Sequence, residues 1–174
     1  MNGLRIAAAL GMGALFVTTS GCALSGLAFE QDQRLRFEAP SYREKVHLPF
    51  TIRWSMTDFE VAGPSSGSSP DSGYFEVLFD TGPQPPGDGV EYFARDNRSC
   101  RVSEGCPNRH YLAQQGVYTT TNDYIEVRHL PPAPGVDLAR GQPDIHDVTI
   151  VLLDGAGKRI GESSWTTSFE IVHD

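Results

Sequence analysis

No stretch of this sequence is long enough to cross a bilayer. Its longest apolar run, Ile6 to Val17, is well short of the roughly 20 residues that a spanning helix needs. Positive charge is scarce: 14 Lys and Arg stand against 22 Asp and Glu, a net charge of −8. That balance argues against general nucleic-acid binding and against adhesion to anionic headgroups by charge. Cysteine is sparse and odd in number, three in 174 residues, so one must be explained apart from any pair. No two of the five histidines are close enough in sequence to chelate together, and there is no glycine-rich phosphate loop. Internal repeats, heptads and low-complexity tails are absent as well.

What the first residues do contain is a secretory signal. Arg5 supplies one positive charge, the apolar run follows, and Thr19-Ser20-Gly21 provides a small-residue exit immediately before Cys22. The arrangement resembles the bacterial lipoprotein signal, in which the cysteine after a small residue is lipidated and becomes the new N-terminus. Thr19 departs from it, standing where that motif usually has leucine. Two readings stay open: a lipid on Cys22, or a plain cleaved signal followed by an incidental cysteine. Residues 1–21 carry one Arg and no acid, so their removal takes the net charge from −8 to −9. Residues 22–33 are expected to be a tether, and 34–174 a single domain.

Hydrophobic alternation dominates that domain. In His146 to Val172, the arm Val148-Thr149-Ile150-Val151-Leu152-Leu153 is apolar on both faces, as a central covered strand would be. Asp154-Gly155-Ala156-Gly157 reads as a hairpin turn. The return arm points Trp165, Thr167, Phe169 and Ile171 one way and Ser164, Thr166, Ser168 and Glu170 the other. Earlier strands are predicted over 34–39 (Leu35, Phe37 and Ala39 inward), over 46–56 (Leu48, Phe50, Ile52, Trp54 and Met56 on one face) and over 74–80. A second hairpin is predicted from 117–121 and 124–130 across Asn122-Asp123. A short helix is expected over 107–115, with Pro107 in its first turn and Gly116 past its end. Seven or so short strands with these turns predict an all-β, immunoglobulin-like or fibronectin-like antiparallel sandwich with one short inserted helix. A jelly roll or small barrel is the alternative. Both indoles, Trp54 and Trp165, belong inside.

Cys100 and Cys106 lie in CRVSEGC. Outside the cytoplasm such neighbours form a disulfide most simply; zinc sites favour tighter spacing with further ligands, and redox pairs usually have two intervening residues. Residues 95–110 contain Arg95, Arg98, Arg101 and Arg109 against Asp96 and Glu104, a local +2 in an acidic chain, flanked by Tyr92, Phe93 and Tyr111. Guanidinium groups beside aromatics suit carboxylates, phosphates or another protein. A clamped loop lowers the ordering cost of binding. Tyr92, Arg95, Arg98, Arg101, Arg109 and Tyr111 are therefore the candidate binding loop.

Enzymatic signatures are weaker. Ser163-Ser164 lacks the second glycine and the strand–turn–helix setting of a nucleophile elbow. Asp144, His146 and Asp147 form the one local cluster of metal-ligand or acid–base side chains. Nothing marks a carboxylate pair for sugar hydrolysis, and no metal or other cofactor is called for. Asn97-Arg98-Ser99 has the form of a glycosylation site, which carries no weight in a bacterial lipoprotein.

Together, the lipobox-like start, the HDVTIVLLDGAGKRIGES hairpin and the CxxxxxC loop resemble exported lipoproteins of actinobacteria. The resemblance covers most of the mature chain and implies an immunoglobulin-like fold on the outer face of the cell membrane, with no activity attached. The expectation is a lipid-anchored, non-enzymatic binding module of the cell envelope. Its partners would be the membrane through the N-terminal lipid and an envelope protein or anionic ligand. A small extracytoplasmic enzyme or metal-binding protein using Asp144, His146 and Asp147 is the alternative.

Overall fold

The computed structural model describes residues 32–173. The expected signal peptide, Cys22 and most of the tether lie outside the described residues. In chain order the strands are β1 (Leu35–Ala39), β2 (Glu44–Val46), β3 (Phe50–Met56), β4 (Glu60–Val61), β5 (Ser72–Phe79), β6 (Val117–Thr120), β7 (Tyr124–Val127), β8 (Asp144–Leu153) and β9 (Trp165–Ile171). Two short helices, α1 (Arg98–Arg101) and α2 (Arg109–Gln114), lie between β5 and β6. The fold is thus mixed: two sheets and two short helices.

One sheet has three strands in the order β1-β3-β7. The other has six, running β2-β9-β8-β5. On the far edge of β5, β4 pairs in parallel with its first residues and β6 pairs antiparallel with the remainder. The strongly apolar β8 is central, antiparallel to β5 on one side and to β9 on the other. The hairpin read from the sequence is therefore present, with Val148, Ile150 and Leu152 buried on one face and Val151 and Leu153 on the other.

A single apolar cluster draws on both sheets. The three-stranded sheet gives Leu35, Ile52, Trp54 and Val127; the six-stranded sheet gives Phe75, Val77, Ile150, Trp165 and Phe169. Trp54 meets Phe75 edge-to-face at 5.4 Å, and Phe50 meets Phe169 likewise at 5.0 Å. Both indoles are buried, and burial of each such side chain is worth about 2 kcal/mol or more. Trp165 also donates Nε1–H to the Asp32 carbonyl at 2.7 Å. Asp32 accepts from Arg34 and Ser163 besides. The end of the expected tether is thereby fastened to the domain.

The other face of β5 and β8 has its own apolar cover. Leu78 and Val151 pack with Leu112 and Val117, with Val90 and Phe93 alongside. The segment between β5 and β6 supplies most of this layer, which is why β5 and β8 are apolar on both faces.

Three local expectations are corrected. The run 46–56 is two strands: Pro49 has no N–H for a ladder, and the chain changes sheets there, β2 pairing with β9 and β3 with β1 and β7. The stretch 117–130 is not a hairpin. β6 pairs with β5 while β7 pairs with β3, so the Asn122-Asp123 turn carries the chain from one sheet to the other. The inserted helix begins at Arg109 with Asn108 as its cap, so Pro107 precedes it.

Candidate binding site

The insertion between β5 and β6 is organised by two capped turns and a covalent link. Asn97 caps α1 by accepting the Cys100 N–H at 3.0 Å, and Asn108 caps α2 by accepting the Tyr111 N–H at 2.9 Å. Such caps satisfy amide groups that a helix start leaves unpaired, each worth about 1 kcal/mol. Between them Cys100 and Cys106 form the disulfide, with Cα atoms 5.2 Å apart. Tyr111 Oη donates to the Phe93 carbonyl at 3.4 Å, and Leu112 anchors α2 in the apolar layer on β5 and β8.

The predicted loop residues fall into separate roles. Arg95 lies over the Tyr92 ring at 3.6 Å, donates to the Tyr92 carbonyl at 3.2 Å and pairs with Asp96 at 3.4 Å. These two residues line a cleft with Thr81, Pro83 and Gln115, and the guanidinium is already engaged by its own loop. Tyr111 is a supporting residue. Arg98, Arg101 and Arg109 are exposed, and among the described residues none has an ion pair. Arg109 borders a second cleft of about 320 Å³, lined also by Leu112, by the residues of β6 and by Tyr124, Ile125 and Glu126 of β7. The sequence therefore located the insertion, but the loop's cations do not converge on one point. Leu112, Tyr118, Thr119 and Ile125 are additions that only the pairing of β6 and β7 with different sheets brings together.

The root of the insertion rests on a buried polar group. Glu76 is on β5 with no exposed surface, and neither carboxyl oxygen has a hydrogen-bond partner. Burial lifts its pKa to about 7, against the lowering pull of Gln84 and Arg159. Arg159 donates from Nη1 to the Gln84 carbonyl at 2.5 Å and from Nη2 to the Glu162 carbonyl at 2.8 Å. A lone acid inside the apolar run YFEVLF is the sequence signal that marks it.

The structure also rearranges the Asp144, His146 and Asp147 group. Asp147 points away and accepts from Ser168 Oγ at 2.5 Å, because neighbouring strand residues face opposite sides. Asp80 takes its place. Its Oδ2 lies 2.6 Å from His146 Nδ1, while Asp144 Oδ1 is 3.1 Å from Nε2, within ion-pair range but without hydrogen-bond geometry. Asp144 also accepts from the Ala133 N–H at 3.0 Å and lies 2.8 Å from His173 Nε2. His146 has no exposed surface, so no substrate reaches its ring. Among the described residues, no group of three or more His, Cys, Asp or Glu has the arrangement to hold a metal ion.

Comparisons with protein-family models, curated proteins and solved structures give no match to this chain.

Proposed function

We propose that the protein is an exported, lipid-anchored binding module of the bacterial cell envelope, with no enzymatic activity of its own. Its two sheets close face to face as an immunoglobulin- or fibronectin-like sandwich. That reading is supported by the apolar cluster shared between the sheets and by the cross-sheet pairs Trp54–Phe75 and Phe50–Phe169. The signal-like residues 1–21, followed directly by Cys22, support a lipid on that cysteine, and a disulfide suits an oxidising compartment outside the cytoplasm. The chain contacts the membrane through its lipid and an envelope protein or other anionic ligand through the insertion.

One observation carries the binding role. A covalently clamped, doubly capped insertion displays Arg98, Arg101 and Arg109 to solvent with no ion pair among the described residues, on a chain whose net charge is −8. Cations left uncommitted on a rigid scaffold favour an anionic partner, because little conformational entropy is lost on docking.

Two measurements test the reading. Intact mass of membrane-extracted protein, with and without reductant, should give an acylated chain starting at Cys22 and a gain of two hydrogens on reduction. An unmodified N-terminus removes the anchor. Whole-cell crosslinking of the wild type against Arg98→Glu/Arg101→Glu/Arg109→Glu should lose a discrete crosslinked species in the variant; unchanged crosslinking removes the arginine surface.

A further inference from the structure

β6 has one edge to spare. It pairs with β5 from Val117 to Thr120, and among the described residues no strand pairs with its other side. The Phe79 N–H donates to the Gly116 carbonyl at 2.8 Å, which marks Phe79 and Gly116 as a hydrogen-bonded pair. Antiparallel ladders alternate. Tyr118 and Thr120 therefore direct their backbone groups to β5, whereas Val117 and Thr119 direct theirs away from it. On β7, Trp54 N–H donates to the Asp123 carbonyl at 3.0 Å, so by the same alternation Tyr124 and Glu126 present their backbone groups to that strand's open side.

Edges of this kind are normally guarded by a charge, a proline or a bulge. The sequence of β6, VYTT, has no charge and no proline. It borders instead the cleft of about 320 Å³, lined also by Arg109 and Leu112 of α2 and by Tyr124, Ile125 and Glu126 of β7, the last paired with Arg128. A second cleft of about 210 Å³ shares Tyr118 and Ile125 and extends the trough to Leu130.

We infer that β6 is a docking strand: an extended, acidic peptide segment of a partner protein adds to its free edge. The inference rests on the binding-module reading and names the ligand class. In such a complex the main chain of the segment bonds the outward backbone groups of the exposed Thr119, next to the buried Val117 that packs with Leu112, and its alternate side chains fall on opposite faces. One face meets Leu112 and the unpaired Arg109, which calls for a carboxylate. The other meets Tyr118 and Ile125, which calls for apolar side chains. Charge selects the occupant. Arg109 is the cation on the cleft rim and has no ion pair among the described residues, while Glu126 across the cleft is held by Arg128 at 2.9 Å, so in a chain of −8 a carboxylate is drawn here and repelled elsewhere. A second copy of the chain would instead bring two strongly acidic bodies together and set arginine against arginine.

The test is selection of random heptapeptides displayed on phage against the full chain, followed by synthesis of the enriched peptides. Enrichment in acidic residues alternating with β-branched or aromatic ones is expected. Each peptide is then made in two forms, N-methylated at alternate backbone nitrogens. One form should lose tenfold or more in affinity and the other should bind as before, since a strand edge uses every second N–H. Thr119→Pro should weaken binding about tenfold while leaving the ladder to β5 intact, and Arg109→Glu should weaken it as much. The methylated peptides keep the test decisive even where the proline variant unfolds.

Equal binding of both methylated forms overturns strand addition, as does enrichment of basic peptides, an absence of enrichment, or self-association of the chain through β6. If peptides bind in a way that Arg98→Glu/Arg101→Glu abolishes but methylation does not, the binding module survives and the docking strand falls. If neither peptide binding nor the crosslinked species in cells is found, both fall.

Discussion

Asp80 at the end of β5 holds the wholly buried imidazole of His146 on β8, with Oδ2 2.6 Å from Nδ1. Through Asp144 the same ring is coupled to the Ala133 amide and to His173. The network therefore fastens four segments: the end of β5, the loop after β7, the start of β8 and the residues after β9. Burial alone would lower the His146 pKa; the carboxylates of Asp80 and Asp144 outweigh it and raise the value above 6.5. A raised folded value means that the stabilisation is fully present below about pH 6.5 and is lost as pH rises through the folded pKa. Asp144 has the opposite sign. Burial pushes its pKa up, but the Ala133 amide and the two histidines bring it below the usual value, so its contribution is lost as pH falls through the folded pKa. His146→Leu leaves two carboxylates facing each other and should cost about 3 kcal/mol or more at pH 6. The gap from wild type should narrow at alkaline pH. Urea denaturation of both proteins across pH 5–9 checks this.

Glu76 predicts a slope of the other kind. Its carboxyl is buried without a hydrogen-bond partner, and its pKa is pushed up to about 7 from 4.5. Between those two values the folded protein holds a proton that the unfolded chain releases, so stability falls as pH rises through this window. The loss amounts to about 3 kcal/mol at pH 8. Glu76→Gln should flatten the slope and be the more stable protein at pH 8, with little change at pH 4.5. Guanidinium denaturation at the two pH values reads this directly, and an unchanged slope would assign the pH dependence to other groups.

The two networks differ in how visible they are before folding. Glu76 announces itself as an acid inside YFEVLF, a run whose every neighbour is apolar. Asp80 and His146 are 66 positions apart and meet only because β5 and β8 pair; no local pattern contains that fact. The same distinction runs through the fold. The β8–β9 pair was legible because β8 is apolar on both faces, β9 alternates and the turn that leaves β8 is local. The false hairpin at 117–130 arose because Asn122-Asp123 makes an equally good turn whether the flanking strands pair with each other or with β5 and β3. That choice is made by which edges are vacant, a property of the assembled sheets. The cleft beside β6 was hidden for this reason, although Arg109 on its rim was identified.

Gly116 sets the start of β6. Its φ of +74° is in the left-handed region, and a Cβ there would sit 2.5 Å from the Phe79 carbonyl oxygen, the acceptor side of a backbone already committed to the β5 ladder. An L side chain pays for the positive φ and also has to displace that carbonyl. Gly116→Ala should therefore destabilise by about 2 kcal/mol. Because the insertion and β6 meet at this residue, hydrogen exchange should quicken in β6 and α2 before it changes in β8. A thermal midpoint equal to wild type would show that the turn relaxes freely.

The disulfide should matter to the insertion more than to the sheets. Cys100 and Cys106 are six positions apart, and closing so short a loop stabilises by about 2 kcal/mol in the chain-entropy model. The core does not depend on it. The apolar residues beneath the insertion are held by Leu112, Phe93 and Val90, none of them within the closed loop, and the capping residues Asn97 and Asn108 also lie outside it. Cys100→Ser/Cys106→Ser should therefore unfold cooperatively with near-native secondary structure and a stability lowered by about that amount. Amide exchange should rise between residues 97 and 108 and stay slow in β5, β8 and β9. If the arginines bind as part of a pre-shaped surface, the same variant should lose affinity through the entropy of reordering the loop. That loss would be recovered on replacing neither charge nor aromatic residue, only on re-forming the bond. Calorimetry of the oxidised and reduced wild type with one selected acidic peptide separates the two effects: a purely entropic penalty on reduction is the expected outcome, and equal affinities in the two states would show that the bond serves stability alone.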